Sequence, residues 1–226
     1  MIIIYINSMT DTDTFKDIYK DVECRALLIN PTRKEAVEAL NKWRNDTVLC
    51  FGHGTENGLL NANLNGYIID DKNFYLLNGR EVICIWCNAD KFALKHNLKG
   101  FFTSMFYSNM NEAICFVEEN PKLITEDFLY DENRKFARQI NTLLKDYVPL
   151  EDWLTILIES ADFSNKLVVY NYFGLCFIDE DGFIVYGDDM ALWKELADIN
   201  IIKEYKKENG DDDWDWDDED DEETDK

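Results

Sequence analysis

Long apolar runs are missing from this chain of 226 residues. No stretch approaches the roughly 18 residues that a membrane-crossing helix requires. The apolar opening, Met1-Ile2-Ile3-Ile4-Tyr5-Ile6, stops at Asn7-Ser8 with no basic residues before it and no small-residue cleavage site after it. It reads as a buried strand, so the expected location is cytoplasmic, with no membrane partner. Basic residues are also scarce: 23 Lys and Arg stand against 46 Asp and Glu, a formal net charge of −23. Residues 211–226 hold twelve acidic residues and one lysine, so about half of that excess is local. No basic patch interrupts the linear sequence, which excludes nucleic acid as an expected partner, because phosphate backbones would be repelled. Glycine-rich phosphate loops of the P-loop or dinucleotide type are absent, so nucleotide chemistry has no support. No internal repeat of solenoid or propeller period occurs.

The composition is otherwise that of a globular protein, 46% hydrophobic, enough for one well-buried domain. Six cysteines (Cys24, Cys50, Cys84, Cys87, Cys115 and Cys176) are scattered through apolar segments. A chain of this size needs no covalent staples, and the pattern fits reduced thiols inside a cell. Cys24, Cys115 and Cys176 read as packing residues.

Short apolar runs alternate with helical patterns through the first half of the chain, as in a parallel sheet covered by helices. Residues 1–6, 26–30, 47–52 and 81–86 are the expected strands. Asn30-Pro31 offers an N-cap and a first-turn proline ahead of Ala36, Val37, Leu40 and Trp43, an apolar stripe at helical spacing. Residues 88–97 suit a helix, 101–107 a strand and 109–119 another helix. Residues 121–160 read as mostly helical, broken at Pro149. Residues 166–177 and 183–186 read as strands joined by Asp179-Glu180-Asp181-Gly182, whose chemistry suits a hairpin turn. A last amphipathic helix is expected over 189–207. The acidic stretch 209–226 cannot bury enough apolar surface to fold alone and reads as disordered. The expected organisation is an α/β domain over 1–120, an α+β extension packed on it over 121–208, and the tail.

Two residues stand out for chemistry. The run Val48-Leu49-Cys50-Phe51 leads into Gly52-His53-Gly54, and Val82-Ile83-Cys84-Ile85-Trp86 leads into Cys87-Asn88. Open α/β sheets gather functional groups at the carboxyl ends of their strands. If these two strands are neighbours, an imidazole meets a thiol, and it can take the thiol proton and return it to a leaving amine, as covalent acyl transfer requires.

This arrangement, a strand followed by His-Gly, a crossover, and a strand followed by Cys, resembles the caspase-like cysteine peptidases, the group of caspases, clostripain, gingipains, separase and CHAT-type proteases. The resemblance covers about residues 1–120 and implies a caspase-like, mostly parallel sheet flanked by helices, a protein or peptide substrate, and no cofactor or metal. His53 would be the general base and acid, Cys87 the nucleophile, and the backbone N–H groups of Gly54 and Cys87 the oxyanion hole. The caspase signature Q-A-C-[RQG]-G is absent: Ile85-Trp86 precede Cys87 and Asn88-Ala89 follow it, so an aspartate-type preference is not implied.

Other readings of the same residues stay open. Cys50-x2-His53 and Cys84-x2-Cys87 have spacings that tetrahedral zinc uses. A non-catalytic interaction module on the same fold is the alternative to a peptidase, since fold does not fix function. His96, in Lys95-His96-Asn97, reads as a solvent-facing residue or a C-terminal capping group. Trp214 and Trp216 amid aspartates make the tail either a solubilising extension or a docking element for a protein partner.

Overall fold

The computed structural model describes residues 1–8, 11–116, 124–163 and 165–189. The helix expected over 189–207 and the acidic tail thus fall almost wholly outside the described residues. The chain divides into a compact unit through residue 190 and a second over 191–226. Everything below concerns the first. Among the described residues, no helix is long and apolar enough to cross a membrane.

Seven strands form the central sheet: β1 (Ile2–Tyr5), β2 (Ala26–Ile29), β3 (Val48–Phe51), β7 (Val82–Ile85), β8 (Gly100–Thr103), β9 (Leu175–Ile178) and β10 (Ile184–Tyr186). Their spatial order is β10-β9-β8-β7-β3-β1-β2. The block from β2 to β8 is parallel, β9 runs antiparallel to β8, and β10 antiparallel to β9. The protein is therefore α/β with a mostly parallel sheet, and β9 and β10 extend that same sheet rather than forming their own. Strands β1, β3 and β7 are buried on both faces, which is why they read as unbroken apolar runs.

Helices cover both faces. On one face Ile2, Ile4, Cys50, Val82 and Cys84 pack under α1 (Arg33–Lys42) and α2 (Ala89–His96). On the other, Phe101 meets Trp153 of α5 (Leu150–Glu159), while Tyr5 and Phe51 meet Tyr19 of a 3₁₀ helix, Asp11–Tyr19. That 3₁₀ helix lies along α4 (Glu126–Lys145). Two further helices, α3 (Met110–Phe116) and α6 (Lys166–Phe173), flank the β8–β9 connection. Between β3 and β7 the chain builds a separate three-stranded antiparallel sheet from β4 (Gly54–Thr55), β5 (Gly58–Leu60) and β6 (Tyr67–Asp70).

Three local expectations are corrected. Helix α1 is capped by Thr32, not Asn30: Thr32 Oγ1 accepts from the Glu35 N–H and Glu35 reaches back to the Thr32 N–H, a full capping box. Asn30 instead takes a left-handed conformation and accepts from the Asn7 N–H at 2.7 Å. Residues 166–173 are helical, not strand, and only Leu175–Ile178 extends. The sequence Lys-Leu-Val-Val-Tyr-Asn-Tyr-Phe favours strand by propensity, but Asn165 caps Leu167 and the residues from Leu167 to Phe173 are all buried, so no polar face marks the helix. The eighth strand ends at Thr103, and after one last bond from the Ser104 N–H to Gly174 O residues 105–108 leave the sheet.

The 3₁₀ helix is tied to α4 by Asp17, whose Oδ2 accepts from Arg134 Nε at 3.0 Å and Arg138 Nε at 3.2 Å. Burial pushes the Asp17 carboxyl up, but the two guanidinium groups outweigh it and hold it below the ordinary carboxylate range. A lowered folded pKa contributes stability that is present above the unfolded value and lost as pH falls through the folded one. Asp17→Asn is expected to cost about 0.5–1 kcal/mol at neutral pH, the arginines being half exposed. In urea titrations that deficit should shrink as the pH falls below about 4.

Candidate functional site

Strands β3 and β7 are parallel neighbours, in register from Val48 with Val82 to Phe51 with Ile85. The Gly52 N–H continues the ladder by donating to Ile85 O at 3.1 Å. His53 and Cys87 each stand two residues beyond the last register pair, Phe51 with Ile85. Both residues line one narrow cleft with Phe15, Gly52, Ile85, Trp86, Phe106 and Ser108. The sheet order thus makes the two strands that carry His53 and Cys87 neighbours, and among the described residues the lining holds no acidic or basic side chain besides the histidine.

Each flank of the cleft is braced. His53 is where the second sheet starts: its carbonyl accepts from the Leu60 N–H at 3.0 Å. Gly54 pairs with Leu59 and Thr55 with Gly58, so Gly54 sits at the non-hydrogen-bonded position of the hairpin and its N–H is directed away from β5. A Cβ on Gly54 would lie 2.2 Å from Trp86 Cδ1, so only glycine permits this approach. Trp86 is buried, donates from Nε1 to Thr55 O at 3.2 Å and accepts at its carbonyl from Thr103 Oγ1 at 2.8 Å. Cys87 follows it directly, and its Sγ donates to Phe106 O at 3.4 Å. Asn88 takes a left-handed conformation at the start of α2, its N–H bonded to Ser104 O.

Three residues after Cys87, Asp90 joins α2 to the far strands. Its Oδ2 accepts from Ser104 Oγ at 2.7 Å and from Tyr186 OH at 3.2 Å. Burial is the main influence on the carboxyl and pushes it up, against these hydrogen bonds. A raised folded pKa gives stability that is full below the unfolded value and lost as pH rises through the folded one. The denaturation midpoint of Asp90→Asn should therefore improve relative to the wild type as the pH rises above about 4; a constant difference would contradict the burial effect.

The zinc reading does not survive the geometry. Cys50 and Cys84 lie opposite one another in the ladder and point into the apolar layer beneath α1 and α2, fully buried, whereas His53 and Cys87 line the cleft. Burial pushes the Cys50 and Cys84 thiols far above their ordinary range. Among the described residues no group of three or more His, Cys, Asp or Glu is placed to hold a metal ion.

Two other readings change. Cys176 is buried, but Cys24 is exposed and does not pack; the Cys115 side chain lies outside the described residues. His96 neither faces solvent nor caps α2. Its ring stacks on Phe74 at 3.9 Å between centroids and meets Phe92 edge-on, with Nε2 2.9 Å from Asp71 Oδ1. The cap is Asn97.

Sequence reasoning missed Phe15, Phe106 and Ser108. Phe15 arrives from the 3₁₀ helix, and the other two from the irregular segment after β8. No motif marks either segment, and only the tertiary fold brings them over the strand ends. A larger hollow, beside Arg80, Glu81 and Lys99, opens at the opposite ends of β7 and β8 and holds none of the dyad.

No family model, curated protein or solved structure matches the chain.

Proposed function

We propose that this protein is a cysteine endopeptidase of caspase-like type, with His53 as base and acid and Cys87 as nucleophile. The observation that carries the reading is the shared cleft at the ends of two adjacent, in-register parallel strands. His53 takes the Cys87 proton as Sγ bonds to the scissile carbonyl carbon. The carbonyl electron pair moves to oxygen, where the Gly54 N–H, left unused by its hairpin, and the Cys87 N–H are the oxyanion-hole donors. Collapse breaks the C–N bond, and His53 returns the proton to the leaving amine. Water, deprotonated by His53, then cleaves the thioester and restores the thiol.

The test is a peptidyl acyloxymethyl ketone probe. It should label the full chain at Cys87, fail on Cys87→Ala and slow on His53→Ala. Absence of labelling across a probe library would defeat the reading.

One observation favours a second reading, a non-catalytic interaction module: the thiol already donates to Phe106 O, and the cleft has no room for a substrate side chain. In that case neither the wild type nor Cys87→Ala would hydrolyse a peptide substrate, and the probe would leave Cys87 unlabelled.

A further inference from the structure

The same contact has another meaning when the segment that makes it is followed outward. After β8 the chain turns at Ser104, crosses the mouth of the cleft with Phe106, and enters α3 after Ser108. Ser104 is still tied to the sheet, its N–H donating to Gly174 O at 2.7 Å and its carbonyl accepting from the Asn88 N–H; from Met105 to Ser108 no residue lies in a helix or strand, yet Phe106, Tyr107 and Ser108 are all buried. Buried irregular backbone must find partners outside regular ladders. Here two asparagines supply them. Asn171 of α6 pairs with Tyr107 on both sides, its Oδ1 accepting from the Tyr107 N–H at 2.8 Å and its Nδ2 donating to Tyr107 O at 3.1 Å. Asn133 of α4 donates from Nδ2 to Ser108 O at 2.9 Å. Both asparagines are buried.

Between the anchored ends, Phe106 packs on Phe136 of α4 and meets Phe15 edge-on. Its carbonyl receives the Cys87 thiol hydrogen.

We propose that residues 105–108 form a strap closed over the Cys87 thiol, with Asn171 and Asn133 as its latch, so that the site rests shut and substrate enters only when the strap lifts. The regulatory meaning rests on the reading of Cys87 as nucleophile. The closure itself does not. Because the latch consists of side-chain to backbone bonds from α4 and α6, the strap can open locally while the sheet that holds β3 and β7 in register stays intact.

Cysteine alkylation of the full chain by iodoacetamide, resolved residue by residue by mass spectrometry, tests this with internal references. Cys24 is exposed, and Cys50, Cys84 and Cys176 are buried in strands. In the wild type Cys87 is expected to react at least about 100-fold more slowly than Cys24. Asn171→Ala and Asn133→Ala should each speed Cys87 by about tenfold or more, with Cys50, Cys84 and Cys176 still protected. Global loosening would instead expose those three together. Asn171→Ala leaves two buried polar groups on Tyr107 without their partners and can fail to fold; Asn133→Ala, which removes one bond, and the wild-type ratio then decide.

Cys87 reacting as fast as Cys24 in the wild type, or an unchanged rate in the folded variants, would overturn the strap. Alkylation needs no substrate and no histidine, so the strap and the peptidase reading fail separately.

Discussion

Cys87→Ala is expected to lower hydrolysis of a fluorogenic casein by at least about 10⁴-fold, to the level of the uncatalysed background. His53→Ala should lose about 10²–10⁴-fold, the contribution typical of a positioned proton-transfer group. The double variant should be no worse than Cys87→Ala alone. Residues that act as one unit are not additive, because once the nucleophile is gone the base has no proton to take. That pattern distinguishes a dyad from two independently important side chains, whose losses would multiply. Cys87 is only half buried, and its replacement should leave the unfolding midpoint close to that of the wild type. A folded Cys87→Ala protein that hydrolyses casein at the wild-type rate would remove this site from consideration. The closed strap sets the scale of the wild-type rate: if Asn133→Ala lifts it, hydrolysis by that variant should rise in step with its Cys87 alkylation.

The strand exits that carry His53 and Cys87 were legible because of how parallel sheets are buried. β3 and β7 have helices or loops on both faces, so they appear as uninterrupted apolar runs, and the first residues after them that break the pattern, Gly52-His53 and Cys87-Asn88, mark the strand exits. What periodicity could not supply was that β3 and β7 are neighbours. Strand adjacency is a property of topology, and here a second sheet of about the same chain length as a helical crossover intervenes. That sheet went unread because β4 and β5 are two and three residues long, too short for alternation to register.

The misreading of residues 166–173 has the opposite cause. A helix with an exposed face shows its period, as α4 does with Leu129, Phe136, Ile140 and Leu143 buried and Glu126 and Lys145 outward. In α6 every residue from Leu167 to Phe173 is buried, so these seven show no exposed polar stripe and their β-branched and aromatic character misleads. The strap was illegible for a third reason. Its latch residues, Asn133 and Asn171, are ordinary asparagines in the sequence, and their role comes only from lying 25 and 64 residues from the backbone groups they bind.

Gly54→Ala is the sharpest structural test of how the two halves of the site are joined. The added methyl would sit 2.2 Å from Trp86 Cδ1, 2.5 Å from Trp86 Cγ and 2.9 Å from Gly58 O. Neither neighbour yields easily. Gly58 O belongs to the hairpin backbone, and the Trp86 ring is buried against Phe92 with its N–H bonded to Thr55 O. The contact must be relieved by moving the β4–β5 hairpin, which begins at His53, away from Trp86, which precedes Cys87. Overpacking of this kind costs about 1–3 kcal/mol, or a fall of roughly 2–12 °C in the unfolding midpoint for a chain of this length. The loss of activity should be larger than the loss of stability implies, because a displacement of about 1 Å between reacting groups can cost about 10²-fold. Gly66→Ala is the control: its Cβ would meet only the flexible Asn61 side chain, at 3.2 Å, and both stability and hydrolysis should stay near the wild type. If Gly54→Ala instead matched Gly66→Ala in both measurements, the hairpin would not be positioning His53 against Cys87, and the geometric basis of the dyad would fall.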